Sequence, residues 1–280
     1  MTTPHRLTLA AQQIVLDNDG FSPGIIDGRQ GRKTEQAMDL AQKAGRKIKT
    51  DNAWISWNVP ADYFADLAPV PESWMARSKL TALNHESAVE KLAERFHVSE
   101  DFLRVLNPTI RNWNKLQEGV AIKAPALSPR RLPRADHLEI QLGAKLIIAK
   151  DGGDQPMASF PCSIAAKKEK RPMGWLTVSV LAPNPDYLFD PALFPEVPES
   201  AKITSKLMIP PGPNNPVGVM WIGLSSTASG KALKGIGIHG TPKPEDIGKT
   251  ESHGCFRMTN WDVQRLAAML RIGTPVFVKE

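Results

Sequence analysis

The sequence of 280 residues has few cysteines, no long apolar run and no recognisable leader. Only Cys162 and Cys255 are present, which excludes a disulfide framework, and they form no CxxC pair of the kind that binds zinc. Charges, prolines and glycines interrupt every apolar run long before the roughly 20 apolar residues that a bilayer span requires. We therefore predict a folded chain without a membrane span.

The N-terminal residues do not have the pattern of a secretory signal peptide. Gln12 and Gln13 interrupt the apolar stretch, and no small-residue cleavage site follows. Two interpretations stay open at this point: a cytoplasmic protein, or an envelope protein whose leader has been removed.

The net charge of +6 favours anionic partners, among them nucleic acid, anionic lipid and a carboxylate-rich cell wall. The positive residues are scattered apart from a cluster at 167–171, and nucleic-acid-binding motifs are absent. We predict no nucleic-acid partner. The cluster is interpreted as a solvated loop, with steering of an anionic polymer as the alternative.

The first 50 residues have the pattern of two helices joined by a loop rich in glycine and proline. The second helix is predicted to begin near Thr34, with Glu35 in its first turn. Residues 20–28 followed by Lys33, Thr34 and Glu35 resemble the small three-helix peptidoglycan-binding domain. We interpret 1–50 as a domain of that type, with a helical hairpin serving only as a spacer as the alternative.

Residues 51–73 contain two tryptophans and three prolines, and we interpret them as a connector. In 74–124, helices are predicted at 87–96 and 99–106, followed by a short strand at 120–122. This order, with "HVS" between the helices and "LNP" after the second, resembles a LysM module, which grips N-acetylglucosamine chains. Asn84, His85 and Glu86 replace the usual Gly-Asp turn, which favours a degenerate spacer over a working binder.

A linker at 125–134 leads to a region with a strand pattern, 135–280. Apolar and β-branched residues predict strands at 138–142, 146–149, 175–181 and 217–224. Between the last two, residues 183–216 contain nine prolines, which indicates a lid or groove wall, disorder being the alternative. Cys162, in a strand-like segment, is predicted to be a buried apolar residue.

The residues that carry chemistry lie near the C-terminus. Residues 235–239 predict a strand on which His239 shares a face with two glycines, leaving space for a substrate backbone. Further on, Cys255 lies ahead of a helix predicted to begin after Thr259, whose N-terminal dipole would favour a thiolate. Either His239 or His253 could activate the thiol, and we favour His239 because it arrives from a separate segment.

His239, Gly240 and Thr241, with the run 252–257 and Asn260, resemble the signature of the L,D-transpeptidase (YkuD-type) catalytic domain. Blocks at 172–174, 212–218 and 221–224 are similar to other parts of that domain. The resemblance implies a multidomain α+β protein with a mainly-β, sandwich-like catalytic domain at the C-terminus, a small α-helical N-terminal domain and a small LysM-like α/β module.

The resemblance also implies a set of catalytic residues. Cys255 would be acylated, His239 would be its base, and the Gly240 carbonyl would orient the imidazole. The N–H groups of Gly254 and Cys255 would form the oxyanion hole, and His253 would shape the loop. Five side chains are predicted to bind substrate: Arg257, Ser252, Asn260, Tyr187 and Trp221. A bidentate contact with a substrate carboxylate suits Arg257, and an ion pair with Asp262 or another acid is its alternative role.

The implied reaction is attack on the L,D amide of a tetrapeptide stem, loss of D-Ala, and transfer of the acyl group to an amine to form a 3-3 crosslink. Water, a free D-amino acid or a lipoprotein lysine are alternative acceptors. The implied partners are peptidoglycan stem peptides and glycan. We predict a monomer in the periplasm or cell envelope, without metal or cofactor and acylated by carbapenems.

Two competing functions stay open. His239, His253 and Cys255 could instead bind zinc, although neither HExxH nor HxE with PCxxC is present. The chain could also be a non-enzymatic wall anchor, for which Cys255 would be unreactive.

Overall fold

The computed structural model describes residues 3–226, 232–252 and 254–280. The predicted N-terminal helices are present as α1 (Thr3–Asp19) and α2 (Arg32–Lys43). They pack around a small cluster of Leu16, Phe21, Ala37 and Ala41. Within the described ranges, no helix is long and apolar enough to cross a membrane.

The next unit has three helices between two paired strands. Its elements in chain order are β1 (Trp54–Asn58), α3 (Trp74–Arg77), α4 (Ala88–Arg95), α5 (Glu100–Leu106) and β2 (Ala121–Pro125). β1 and β2 are antiparallel, with Trp54 opposite Pro125. The sequence predicted β2 but not β1. β1 is a short strand flanked by turn residues, and only its pairing with β2 identifies it as a strand.

Helices α4 and α5 confirm the two predicted helices of this unit. The side chains of Ser87 and Ser99 cap them by accepting from the N–H groups three residues on. Their core residues Leu92 and Phe102 belong to the same apolar cluster as Ile14 of α1. The first helix therefore packs into the core of the second unit, and the division at residue 50 stays a prediction.

The C-terminal region is mainly β, as predicted. Its elements are β3 (His137–Gln141), β4 (Leu146–Lys150), β5 (Pro156–Pro161), β6 (Ile164–Ala165), β7 (Gly174–Pro183), β8 (Tyr187–Phe189), β9 (Leu207–Ile209), β10 (Met220–Ser226), β11 (Ala232–His239), β12 (Thr250–Ser252), β13 (Phe256–Arg257), α6 (Asn260–Ala268) and β14 (Pro275–Lys279). Eight of the strands form one sheet in the order β13-β11-β10-β7-β14-β3-β4-β5.

This sheet curls around its own core. Phe256 from one end strand and Phe160 from the other belong to one buried cluster, together with Val263 and Leu266 of α6. The long strands alternate apolar residues because one face of each must pack on this core. The sequence predicted a sandwich-like domain; the structure has a mainly-β domain with one curled sheet of eight strands and two separate strand pairs, β6–β12 and β8–β9.

Residues 183–216, called the wall segment below, connect β7 to β10. They contain the β8–β9 hairpin, in which Tyr187 lies opposite Ile209, and two short 3₁₀ turns at Pro191–Leu193 and Pro198–Lys202. Phe189, Ile203 and Ile209 form a small apolar core with Leu83 from the N-terminal half. The segment is folded, so the alternative of disorder was wrong.

The N-terminal region docks directly on the C-terminal β region. The Ser22 N–H donates to the Ser159 carbonyl over 2.8 Å, and the Ser159 N–H donates to the Gly20 carbonyl over 3.0 Å. The Ser22 hydroxyl donates to Asp262 over 2.8 Å. Asp262 is fully buried, and burial together with the nearby Asp17 raises its pKa to about 7. His97, 3.0 Å from the Asp17 carboxylate, completes this polar junction between the three regions.

Candidate active site

A parallel strand pair brings the predicted nucleophile and base onto one face of the sheet. β11 and β13 run parallel, with Ile238 beside Phe256 and His239 beside Arg257. Because side chains alternate along a strand, Cys255 and Arg257 project to the face that carries His239. Ile238 and Phe256 project to the opposite face and are buried in the core.

His239 is a buried imidazole whose ring is fixed at one nitrogen. Its Nδ1 lies 2.6 Å from the carbonyl oxygen of Gly240 and must carry the proton to donate to it. Burial lowers the pKa of His239 to about 4, against the opposing effect of that hydrogen bond. The ring is therefore neutral at pH 7, and Nε2 keeps a lone pair that can accept a proton.

Trp221 occupies the space beside this imidazole that the sequence assigned to substrate. Its indole stacks on the His239 ring, with centroids 5.7 Å apart and planes at 17°. A Cβ at Gly237 would lie 2.7 Å from the same indole, so the missing side chain makes room for Trp221. The expectation that both glycines clear space for a substrate backbone is wrong at Gly237.

Cys255 is half-buried, and its thiol lies 3.0 Å from the carbonyl oxygen of Gly235, to which it donates. Burial raises the pKa of the thiol to about 11, although the Gly237 backbone and Arg257 act in the opposite direction. The resting thiol is thus protonated at neutral pH. Burial therefore outweighs the expected effect of the helix dipole, and β13 lies between Cys255 and α6, whose N-terminus is capped by Thr259.

Two serines hold the loop that carries the thiol. The Ser252 hydroxyl donates to the Cys255 carbonyl over 2.6 Å, closing the turn that contains the buried Gly254. The backbone of Ser163 exchanges two hydrogen bonds with Arg257, and its hydroxyl donates to the carbonyl of Asp246. The sequence analysis missed Ser163, which has no motif around it. His253 lies outside the described residues.

The structure places the predicted substrate-binding residues differently. Arg257 forms an ion pair with Glu251, and not with Asp262, while still facing the cavity described below. Asn260 is 1% exposed, and its amide nitrogen donates to the Glu94 carboxylate and the Pro213 carbonyl. Asn260 therefore fixes the backbone around the site and does not line the cavity.

A cavity of about 870 Å³ opens above Cys255 and His239. Its lining combines aromatic side chains of the wall segment, three cations and three acids: Tyr187, Phe194, Lys170, Lys243, Arg257, Asp186, Asp246 and Glu251. Burial, and then the proximity of Cys255, raises the pKa of Tyr187 to about 12, so the phenol stays protonated. Lys170 belongs to the basic cluster at 167–171, whose other members are exposed or half-buried.

No group of three histidine, cysteine or acidic side chains is arranged to hold a metal ion among the residues with described positions. The zinc alternative included His253, which is not among them. What the described residues do bring together is a thiol and a neutral imidazole that face one cavity.

The family model for the L,D-transpeptidase catalytic domain, YkuD, matches residues 135–278, just over half of the chain. The chain belongs to this family.

Two Bacillus subtilis (strain 168) proteins with L,D-transpeptidase in their names are similar in sequence. YqjB is 41% identical over 68 residues, which are 24% of this chain and 38% of YqjB. YkuD is 26% identical over 191 residues, which are 68% of this chain and 92% of YkuD. The chain thus spans well under half of YqjB and most of YkuD. A solved structure, L,D-transpeptidase 3 from Mycobacterium tuberculosis, is 14% identical with a TM-score of 0.36, over 59% of this chain and 77% of that one.

Proposed function

We propose that the protein is an L,D-transpeptidase of the cell wall in which Cys255 is acylated by a peptidoglycan tetrapeptide stem. The observation that carries this proposal is the position of the Cys255 thiol and the neutral His239 on one face of two neighbouring strands, open to one cavity. Family membership supports the same reaction.

Proton transfer from Cys255 to His239 accompanies attack on the substrate carbonyl. In the free protein the thiol holds its proton, with a pKa of about 11, and His239 is a neutral acceptor. The sulfur bonds to the carbonyl carbon of the third stem residue while Nε2 of His239 takes the thiol proton. The amide bond to D-Ala then breaks, the imidazolium protonates the leaving amine, and a thioester remains.

The developing oxyanion needs donors beside the sulfur. We propose that the backbone N–H groups of Gly254 and Cys255 supply them, as the family signature implies. One such donor contributes roughly 3 kcal/mol to stabilisation of a transition state in other acyl transfer enzymes.

The mixed charge of the cavity suits a stem peptide, which has both carboxylates and an amine. We propose that Arg257 binds a substrate carboxylate while Glu251 holds its guanidinium in place. Tyr187 can donate from its protonated phenol, and Trp221, which stacks on His239, also lines the cavity and can contact substrate there. Ser252 lines the cavity and keeps its proposed substrate contact, because its hydroxyl can still accept while it donates to the Cys255 carbonyl. Asn260 is assigned no substrate contact, since its amide is bonded to the Pro213 carbonyl and the Glu94 carboxylate.

The test is mass spectrometry of purified tetrapeptide muropeptides incubated with the protein and with Cys255→Ala. Crosslinked dimers from the wild type alone would establish transpeptidation, and tripeptides alone would indicate an L,D-carboxypeptidase with the same acylation step. Exchange of the terminal residue for an added D-amino acid would identify that acceptor. Unchanged tetrapeptide with both proteins would refute the proposal.

For the N-terminal regions we propose a supporting role, with the β1–β2 unit as a LysM-like spacer and 1–50 as a peptidoglycan-binding-like domain. A monomer located in the cell envelope fits a wall substrate. Cosedimentation of the Cys255→Ala protein with insoluble peptidoglycan, compared with residues 135–280 alone if that piece folds, measures what the N-terminal half adds to wall binding.

A further inference from the structure

The aromatic side of the cavity is held from outside the catalytic region. Tyr187 and Phe194 of the wall segment line the cavity above Cys255. Behind them, Phe189 is fully buried and stacks on Phe194, with centroids 5.6 Å apart. The wall segment is a short hairpin and two 3₁₀ turns, which by themselves bury too little apolar surface to hold one conformation.

The missing surface comes from Trp74 in the N-terminal half. Its indole stacks on Phe189 at a centroid distance of 4.2 Å and an angle of 13°, and lies 6.2 Å from the Tyr187 ring. Both aromatic residues that the wall segment contributes to the cavity are thus connected through ring contacts to a single tryptophan more than 100 positions earlier in the chain.

A carboxylate from the wall segment fixes the position of this tryptophan. Glu199 accepts from the Ser73 hydroxyl and the Trp74 N–H, both over 2.7 Å, and from the Met75 N–H over 3.3 Å. These contacts satisfy the first donors of the short helix α3. The indole and the wall segment are therefore joined by polar as well as apolar contacts.

A second attachment lies at the other end of the wall segment. The Leu83 N–H donates to the Pro211 carbonyl over 2.8 Å, and the Asn214 N–H donates to the Leu83 carbonyl over 3.0 Å. Gly212 has a φ of +138°, and a Cβ there would lie 2.2 Å from the Leu83 oxygen. Such close backbone packing admits only glycine at this position.

We propose that residues 70–84, called the brace below, position the substrate-binding wall of the cavity, with Trp74 as the principal positioning residue. The brace touches neither Cys255 nor His239. It sets how firmly Tyr187 and Phe194 are held against a bound stem peptide, and so links substrate affinity to the N-terminal half. The consequence for KM depends on the proposed function, whereas the consequence for the wall segment does not.

The first experiment measures hydrogen exchange of the wall segment in Trp74→Ala. Loss of the indole should increase exchange at residues 187–209 by roughly tenfold, the factor that corresponds to about 1.4 kcal/mol. Trp57→Ala is the matched control, because Trp57 packs on Tyr63 and Phe96 within the β1–β2 unit and not on the wall segment. Equal exchange of residues 187–209 in wild type and Trp74→Ala would overturn the proposal.

The second experiment measures turnover of the tetrapeptide. Trp74→Ala should raise KM by roughly five- to tenfold and leave kcat within about threefold, since the brace acts on binding and not on the reacting atoms. Trp74→Phe should restore most of the affinity because a ring still stacks on Phe189. Glu199→Gln, which keeps the indole but weakens its anchoring, should raise KM by a smaller factor.

The rate of Cys255 alkylation by iodoacetamide separates the outcomes. This reagent is too small to need the wall, so the rate should be unchanged in Trp74→Ala. Equal KM values for Trp74→Ala and Trp57→Ala would mean general destabilisation and would contradict the brace. If the wild type turns over no tetrapeptide, the proposed function fails, while hydrogen exchange still decides whether Trp74 holds the wall.

Discussion

The cavity face of the sheet and its sealed core each contain one cysteine, and the two thiols have similar acidity. Burial raises the pKa of Cys162 to about 12 and that of Cys255 to about 11. Cys162 is 0% exposed among apolar side chains, whereas Cys255 opens onto the cavity on the face that carries His239. A neighbouring imidazole and access to the cavity therefore distinguish the two thiols, and the acidity of the resting thiol does not.

The same contrast applies to other titratable groups. His239 and Asp262 are both buried, and burial shifts the pKa of each toward its neutral form, to about 4 and about 7. Only His239 lines the cavity. A shifted pKa thus identifies a candidate functional residue in this fold only where the group also faces the cavity.

The strongest test of the contrast is removal of each thiol. Cys255→Ala should lower D-Ala release from tetrapeptide by more than about 10³-fold, because no other group can form the thioester. Cys162→Ala should keep release within about twofold of wild type, as measured with the same coupled assay. Comparable losses in both variants would show that the core thiol matters for the reaction and would remove the distinction.

Removal of the base should have the next largest effect. His239→Gln should lower kcat/KM by roughly 10²- to 10⁴-fold, the usual contribution of a general base. In the wild type the active form has a neutral imidazole, so activity should be retained above pH 5 and lost as pH falls through about 4. A pH profile with its acid limb at 6 to 7 would contradict a buried, neutral His239.

A hydroxyl in the core should affect stability and not turnover. Cys162→Ser should lower the free energy of unfolding by about 2 kcal/mol. The introduced hydroxyl is hydrogen-bonded to water in the unfolded chain and is buried among apolar side chains in the folded one. Urea denaturation measures the change, with Cys162→Ala as the control that removes the sulfur without adding a polar group. Wild-type stability of the serine variant would mean that the site is more open than the structure indicates.

The smallest expected effect concerns Asp262 in the polar junction. Its pKa is raised on folding, so its neutral form favours the folded state at low pH and this stability is lost as pH rises through about 7. Between pH 5 and 8, the free energy of unfolding of the wild type should fall by on the order of 1–2 kcal/mol more than that of Asp262→Asn. Parallel denaturation curves of the two proteins at all pH values would exclude this titration.

The sequence predicted which residues of the C-terminal motifs line the cavity, but not how the strands that carry them are arranged. The motif from Ser252 to Arg257 and the strand ending at His239 were recognisable, because glycine spacing and helix caps are local signals. The parallel pairing of β11 with β13 was not, since a strand of two residues has no periodicity. Nor does a sequence reveal that Trp221 fills the space beside Gly237, which depends on the register of two strands.

The contacts of the wall segment and the N-terminal half were harder to predict from the sequence. The prolines of 183–216 indicated a wall, but its contacts with Trp74 and Leu83 join segments more than 100 positions apart and have no local pattern. For the same reason β1 was interpreted as connector, since its partner β2 lies beyond two helices. Long-range contacts of this kind are decided by packing and not by propensity.

The edge strand β13 is held on both sides, by β11 and by the backbone of Ser163. Cys255 next to it is therefore fixed to the sheet by contacts that exclude the wall segment. One set of bonds keeps the thiol and the imidazole in register, and a separate set shapes the cavity above them. Under the proposed function, changes in the hairpin and its support would alter which stem peptides bind without moving Cys255 relative to His239.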